Sequence, residues 1–359
     1  MSGREMEERV LRYLRQASEH NASDIYIVAG RSVTMKVTGR LVSADKDILT
    51  PSDSLALVGE VYRLNNRSLE RLECGDDDFA IGIEGIGRFR VNAYRQRFSY
   101  AAVLRTIPKN LPDPSKMNIP EVVVNLAQNQ RGLVLFTGTT GSGKTTSLAC
   151  LVDRINTTRD SHIVTIEDPI EFRHPHKKSI ISQRELDNDT RSYLAALRGA
   201  LRQAPDVILV GEMRDHETIA AAVTAAETGH LVFSTLHTIG AGATIDRIID
   251  VFPPNQQNQI RIQLAITLQA IVSQQLVPTT EGKLHPAYEI MICNSALRNI
   301  IREGKTFQID NVLQTSVNTG MRTMDMSLAD LCRRRIISRD TALTYSINYQ
   351  DMLNKLSGG

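Results

Sequence analysis

The residues best placed to do chemistry lie in one stretch, Leu133-Val134-Leu135-Phe136-Thr137-Gly138-Thr139-Thr140-Gly141-Ser142-Gly143-Lys144-Thr145-Thr146. An apolar run ends in a glycine-rich turn, and Ser147, Leu148, Ala149, Leu151 and Val152 behind it can continue as a helix. That order predicts a strand buried on both faces, a phosphate-binding loop and a helix. Gly138, Gly143, Lys144 and Thr145 fit the Walker A pattern. Small residues let backbone N–H groups close around phosphate oxygens, and the lysine ammonium reaches the β and γ oxygens. The expected cradle for ATP is therefore Gly138, Thr139, Thr140, Gly141, Ser142, Gly143, Lys144, Thr145 and Thr146, with the Thr145 hydroxyl offered to Mg2+. A flexible glycine turn between two core elements would be the bland account, and the strand and helix on the correct sides argue against it.

Such a loop needs acids near the γ-phosphate, and a parallel sheet presents its ligands at the C-terminal ends of its strands. A strand from His162 to Ile166 runs into Glu167-Asp168-Pro169-Ile170-Glu171, and one from Val207 to Val210 runs into Gly211-Glu212-Met213-Arg214-Asp215. Glu212 reads as a Walker B acid that holds magnesium through water or orients the attacking water. Many phosphate-loop enzymes place an aspartate directly at the strand end, whereas here Gly211 precedes a lone glutamate. The division of labour between Glu167 and Glu212 is thus open. Strand-end acids can also simply cap the next helix, and for Asp215 that reading is at least as good. His237 ends a strand on the same edge as the phosphate loop, where an imidazole could sense the γ-phosphate. His230 opens that strand at its other end, and position alone does not bring it to the nucleotide.

The elements that must position these groups fall into two textures. Residues 5 to 19 form an amphipathic helix with Met6, Val10, Leu11 and Leu14 on one face. Alternating segments at Asp24 to Val28 and Ser32 to Val37, a helix from Ser52 to Tyr62, and strands at Asp78 to Ile83, Gly87 to Tyr94 and Tyr100 to Ile107 complete a small α+β domain over residues 1–107. Pro108, Pro112, Pro114 and Pro120 favour extended chain, so 108–119 reads as a linker. From 120 to 359 strands alternate with helices, the pattern of a parallel sheet. Tyr193 to Arg202 and Glu217 to Glu227 are expected helices, Ile260, Leu264, Leu268, Ile271 and Val272 continue helical spacing, and the tail from 295 is helical. A helix pair there spans Ser327 to Arg335 and Ser338 to Ser346.

Composition narrows the function classes. With 359 residues the prior is two domains. Lys plus Arg is 42 against 40 Asp plus Glu, a net +2 that exerts little long-range pull on nucleic acid or anionic lipid. The four cysteines, Cys74, Cys150, Cys293 and Cys332, form no C-x-x-C pair, so reduced cytoplasmic thiols are expected, not a disulfide framework or zinc site. A charged opening and no apolar run near the roughly 18 residues of a membrane span predict a soluble cytoplasmic protein without direct membrane insertion.

Taken together, the Walker A loop, Ile166-Glu167-Asp168-Pro169-Ile170-Glu171-Phe172, Gln203-Ala204-Pro205-Asp206, Gly211-Glu212-Met213-Arg214-Asp215 and Glu227-Thr228-Gly229-His230 with His237 resemble the secretion ATPase superfamily. Within it the chain is most similar to the PilT-like type IV pilus retraction ATPases. The likeness covers almost the whole chain, including Ala22-Ser23-Asp24-Ile25 and Arg88-Phe89-Arg90-Val91-Asn92. It implies an α/β fold: a RecA-like P-loop domain preceded by a smaller α+β, PAS-like domain and carrying a helical C-terminal region. By the same resemblance Glu167 and Asp168 belong to an acidic "Asp box", Glu212 is the Walker B acid, and His230 and His237 form a "His box". It further implies a homohexameric, ATP-hydrolysing motor that retracts pili for twitching motility. Such a motor works on a platform protein at the cytoplasmic face of the inner membrane. Arg90 and Arg105 match the positions from which the first domain contributes cations to the nucleotide site. From spacing alone they read as a solvated strand face.

Ala296-Leu297-Arg298-Asn299-Ile300-Ile301-Arg302-Glu303 is close to the Ala-Ile-Arg-Asn-Leu-Ile-Arg-Glu signature of retraction motors, with two volume-conserving swaps. An ordinary buried amphipathic helix is the alternative. Pilus-extension and type II secretion ATPases usually add an N-terminal region and a four-cysteine zinc insertion, and this sequence has neither. A PilU-like accessory retraction ATPase would share nearly every motif. A DNA-translocating RecA-like NTPase gains nothing from near-neutral charge and no tryptophan. A nucleotide-binding scaffold without turnover sits poorly with intact acids.

Overall fold

A computed structural model describes residues 3–107 and 111–357. The chain divides into two units, Met1–Asn110 with Pro169–Arg173, and Leu111–Asp168 with His174–Gly359. Residues 108–110 of the expected linker lie outside the described residues.

The first unit holds α1 (Gly3–Glu19), β1 (Asp24–Ile27), β2 (Thr34–Val37), β3 (Arg40–Ser43), α2 (Pro51–Leu64), β4 (Asp76–Ile83), β5 (Gly87–Gln96) and β6 (Ser99–Ile107). Its antiparallel sheet runs β3-β2-β1-β6-β5-β4. Val10, Tyr13, Leu14 and Ala17 of α1 recur at helical spacing and are buried. The second helix starts where Thr50 and Asp53 form a reciprocal capping box ahead of Pro51. Along β5, Phe89, Val91 and Ala93 enter the core while Arg88, Arg90 and Asn92 are only partly buried on the other face. Strand β3 was not expected, because all four of its residues are exposed and carry no alternation.

The second unit contains α3 (Glu121–Val124), β7 (Gly132–Thr137), α4 (Lys144–Thr158), β8 (His162–Glu167), β9 (Ile180–Glu185), α5 (Tyr193–Ala200), β10 (Val207–Val210), α6 (His216–Glu227), β11 (Leu231–Leu236), α7 (Ala241–Asp250), α8 (Pro254–Thr267), β12 (Leu268–Pro278) and β13 (Leu284–Ile292). Beyond them come α9 (Ser295–Glu303), α10 (Ile309–Thr315), α11 (Met324–Arg333), α12 (Arg339–Tyr345) and α13 (Tyr349–Ser357). The sheet runs β13-β12-β7-β11-β10-β8-β9, parallel throughout except for the antiparallel edge strand β13. Every residue of β7, β10 and β11 is buried, as expected for strands covered on both faces. Leu133 and Leu135 join one core with Ile208, Val210 and Val232, and Val134 and Phe136 join the opposite one with Val207, Leu209 and Phe233. A separate cluster, including Leu328, Ile337, Ala342 and Met352, binds the last three helices to the ends of β12 and β13.

The helical spacing expected through Leu268, Ile271 and Val272 is corrected here. The helix stops at Thr267, Leu268 turns extended at φ −65° and ψ 126°, and β12 begins. Because β12 lies between β7 and β13 and is buried on both faces, it shows no period of two and continues the apolar spacing of the helix before it. Strands β9 and β13 were also unexpected. Among the described residues no helix is long and apolar enough to cross a membrane.

Candidate nucleotide site

The phosphate loop connects the end of β7 to the start of α4, whose N-terminal position is Gly143 in a left-handed conformation, φ 91°. The two glycines of the motif are imposed by packing as well as by φ. A Cβ on Gly138 would stand 2.3 Å from the Gln274 carbonyl oxygen, and one on Gly143 would stand 2.6 Å from Gln274 Nε2. Gln274 in turn accepts a hydrogen bond from Ser147 of α4 at 2.8 Å, so a residue of β12 props the loop from beneath. The Lys144 ammonium is buried and donates to the carbonyls of Gly138 at 2.7 Å and Thr139 at 2.9 Å. Ser142 Oγ is buried without a hydrogen-bond partner. An orphaned hydroxyl in a glycine-rich turn at a helix N-terminus fits a phosphate group. Thr139, Thr140 and Gly141 are exposed, and Thr145 and Thr146 are half-buried in the first turn of α4.

The acids stand on the same sheet edge. Gly211 N–H donates to Ile166 O at 2.7 Å and Thr235 Oγ donates to Gly211 O at 2.6 Å, which sets Glu212 between the ends of β8 and β11. Glu212 Oε2 lies 2.8 Å from Arg214 Nη2, and its Oε1 lies 3.2 Å from His237 Nε2. The hydrogen bond from Arg214 to Glu212 holds the guanidinium's pKa above its ordinary value. Glu167 is held differently. Its Oε1 accepts from Thr165 Oγ at 2.6 Å and from Gln183 Nε2 at 3.1 Å, both neutral donors. Asp168 next to it is exposed. Asp215 caps α6, accepting from Thr218 N–H at 2.7 Å, as its capping alternative expected.

Several of the sequence-derived residues are thus brought together: the loop, Glu167, Glu212 and His237 share one edge. His230 is not among them. It precedes β11 at the other end, about 20 Å along a six-residue strand, with its Nδ1 2.9 Å from Ala225 O near the end of α6. A parallel strand delivers only one of its ends to the loop, so within this chain His230 lies at the end of β11 away from the loop, as its position in the sequence suggests. Arg90 and Arg105 are cross-strand partners in the first unit. Arg90 Nη2 pairs with Asp78 at 2.5 Å and Arg105 Nε with Asp24 at 3.0 Å, and the Arg105 side chain is 71% exposed.

Three residues were missed by sequence reasoning. Gln183 lies on β9, an edge strand with a polar pattern that carries no strand signal. Gln274 sits in the misread β12. Tyr193 opens α5, and burial, then the charges of Asp168 and Glu212, push its phenol pKa above the ordinary value. The Tyr193 hydroxyl and Ile166 O would stand 3.0 and 3.1 Å from a Cβ at position 211. Position 211, directly after β10, is therefore tight, and a side chain there would need these neighbours to give by a few tenths of an ångström.

For magnesium the available donors are the Thr145 hydroxyl and the Glu212 carboxylate, both hard oxygen ligands. No group of three or more His, Cys, Asp or Glu able to hold a metal ion occurs among the described residues. This set fits Mg2+, which prefers one or two protein oxygens with phosphate and water to an all-protein cage.

Comparison with known proteins gives the family. Residues 3–287 match the family described as type II/IV secretion system protein. The chain is 50% identical over 276 residues to a "Twitching motility protein" of Neisseria gonorrhoeae, covering 77% of this chain and 74% of that one. It is 44% identical over 326 residues to the "Type IV pilus retractation ATPase PilT" of Pseudomonas aeruginosa, covering 91% and 94%. A crystal structure of the pilus retraction motor PilT with bound ADP superposes with a TM-score of 0.88 at 44% identity, over 96% of this chain and 98% of that chain. With a phosphate loop and its acids on one edge of a RecA-like sheet, and relatives matched over most of their length, the chain belongs to the type II/IV secretion system protein family and has its two-domain secretion ATPase fold.

Proposed function

We propose that this chain is an ATP-hydrolysing motor that powers type IV pilus retraction, working as a homohexamer on an inner-membrane platform protein from the cytoplasmic side. The observation that carries the catalytic part is the convergence of Lys144, Glu167, Glu212 and His237 on one sheet edge. The retraction part rests on the named relatives and on the sequence of α9.

The loop N–H groups and Lys144 bind and orient the phosphates of ATP. Thr145 and Glu212 would hold a Mg2+ ion that enters with the nucleotide, and the ion would supply charge neutralisation of the phosphates. Glu212, fixed by Arg214 and His237, holds that side of the site. Glu167 takes the proton of the attacking water, its Oε1 being oriented by two neutral donors, the Thr165 hydroxyl and the Gln183 amide. His237 reports the γ-phosphate to Glu212. Arg90 and Arg105 stabilise transition-state charge once drawn from Asp78 and Asp24 towards a nucleotide in the ring.

Two arginines sharing the roughly 10³ to 10⁵ of an arginine finger leave each with about 10². Arg90→Ala and Arg105→Ala should each lower kcat by that order, with nucleotide Kd within a few-fold. Unchanged kcat in both variants would show that these guanidinium groups only pair with their aspartates.

The retraction reading is tested on α9, whose two apolar positions of interest differ. Leu297 and Ile301 are fully buried in the core, and Arg298 caps the end of α8 through the Ala265 and Ile266 carbonyls at 2.7 and 2.6 Å. Ala296 is exposed. Leu297 is therefore a core residue, and Leu297→Ala should cost about 2 to 5 kcal/mol and lower stability and hydrolysis together. Ala296→Asp should leave melting temperature and ATPase rate near normal while retraction fails in cells. Normal retraction by Ala296→Asp would remove α9 from the coupling surface.

A further inference from the structure

A buried carboxylate outside the nucleotide edge links three elements of the second unit, β13, α7 and α11. Glu289 on β13 is 2% exposed. Its Oε1 accepts the N–H of Ala241, the first residue of α7, at 2.7 Å, and its Oε2 accepts the N–H of Met324, the first residue of α11, at 3.3 Å. Helix α7 has no side-chain cap of its own, because its N-cap is Gly240. A glutamate from a distant strand does that work, and a carboxylate at two helix N-termini is favoured by both dipoles.

The carboxylate is continuous with the phosphate loop. Directly across from Glu289 on β12 is Ser273, and directly across from Ser273 on β7 is Thr137, the residue before Gly138. Thr137 Oγ and Ser273 Oγ are 2.6 Å apart, and Ser273 Oγ also accepts Gly240 N–H at 3.3 Å. All three side chains are buried. The segment held at Gly240 and Ala241 is the short connection from His237, whose ring sits on Glu212. Thr244 tightens it further, donating to Gly240 O at 2.7 Å and lying 2.7 Å from Thr238 Oγ. Burial pushes the Glu289 pKa up to about 7, with Asp310 and Asp325 adding to the rise against the two backbone hydrogen bonds. An ionised carboxylate in that place costs stability, so its presence is explained by what it holds.

We propose that Glu289 is a positioning residue for hydrolysis: by capping α7 it fixes the His237–Gly240 segment, and with it the imidazole against Glu212, in register with the phosphate loop through Ser273 and Thr137. The carboxylate touches no reacting atom. It fastens the same segment to α11 and so to the C-terminal helices. The proposal rests on Glu212 and His237 acting in turnover as described above.

The test uses the purified full chain. Glu289→Gln keeps the shape and one acceptor oxygen but turns an N–H donor towards the other helix. Ser273→Ala cuts the path to Thr137 and Gly240 without altering the carboxylate. Each should lower kcat about tenfold, the scale of a lost second-layer contact, while KM for ATP and Kd for ADP stay within about twofold. The melting temperature of Glu289→Gln at pH 8 should stay near wild type, one lost hydrogen bond being offset by relief of a buried charge. Wild-type kcat in both variants, or a fall of kcat, ADP affinity and melting temperature in proportion, would overturn the proposal. If Glu289→Gln does not fold, the kcat and KM of Ser273→Ala decide in the same terms. Glu212→Gln run alongside separates the premises, since its full activity would overturn the reading of the site and the positioning role with it.

Discussion

Lys144→Ala is expected to cut ATP turnover by at least about 10³-fold, because the ammonium is a preorganised cation aimed at phosphate oxygens in a buried loop. In the structure that ammonium lies against the Gly138 and Thr139 carbonyls, so its contacts close the loop on itself. Phosphate oxygens can replace those carbonyls as acceptors with little movement of a side chain already buried at the start of α4. Alanine keeps the helix, since it is the best helix former, and loses only the charge and its stem. Nucleotide affinity should therefore fall together with kcat, while the sheet and both of its cores are unaffected. Purified Lys144→Ala with near-normal turnover at saturating MgATP would sink the assignment of this loop, whatever the relatives do.

The site was legible where chemistry and backbone period coincide. Gly138, Gly143 and Lys144 announce themselves because a phosphate loop tolerates few residue types, and Glu167, Glu212 and His237 stand at the ends of strands apolar enough to be recognised. What supports them was not legible. Gln183 reaches Glu167 from an edge strand whose exposed and half-buried residues look like loop, and Gln274 and Ser273 hold the loop from a strand buried on both faces. A strand of that kind has no alternation, and β12 follows a helix so directly that its apolar residues prolong the helical spacing. Long-range pairing decides such segments. Arg90 and Arg105 show the complementary limit: the alternation predicts their shared face, and only pairing reveals that each is already engaged by an aspartate.

Glu167→Gln and Glu212→Gln should separate the two acids, because the structure holds them in chemically different ways. Both Thr165 and Gln183 donate to the same oxygen of Glu167, Oε1. A glutamine can present its carbonyl oxygen to the pair and keep the side chain in place. What it loses is the ability to take a proton. Glu167→Gln is thus expected to lower kcat by about 10² to 10⁴-fold, the usual worth of a general base, with MgATP affinity and melting temperature nearly unchanged. Glu212 has Arg214 on one oxygen and His237 on the other. A glutamine at 212 can keep its carbonyl on Arg214 and offer its NH2 to His237 Nε2 only in the imidazole tautomer protonated on Nδ1, so the substitution alters the His237 contact as well as removing charge. Glu212→Gln should therefore lower kcat, shift the magnesium concentration needed for half-maximal rate upwards, and melt earlier, with nucleotide binding falling less than hydrolysis. The decisive comparison is a magnesium titration of kcat on both variants. A normal magnesium requirement in Glu212→Gln, together with a raised one in Glu167→Gln, would exchange the two roles and make Glu212 the residue that takes the proton of water.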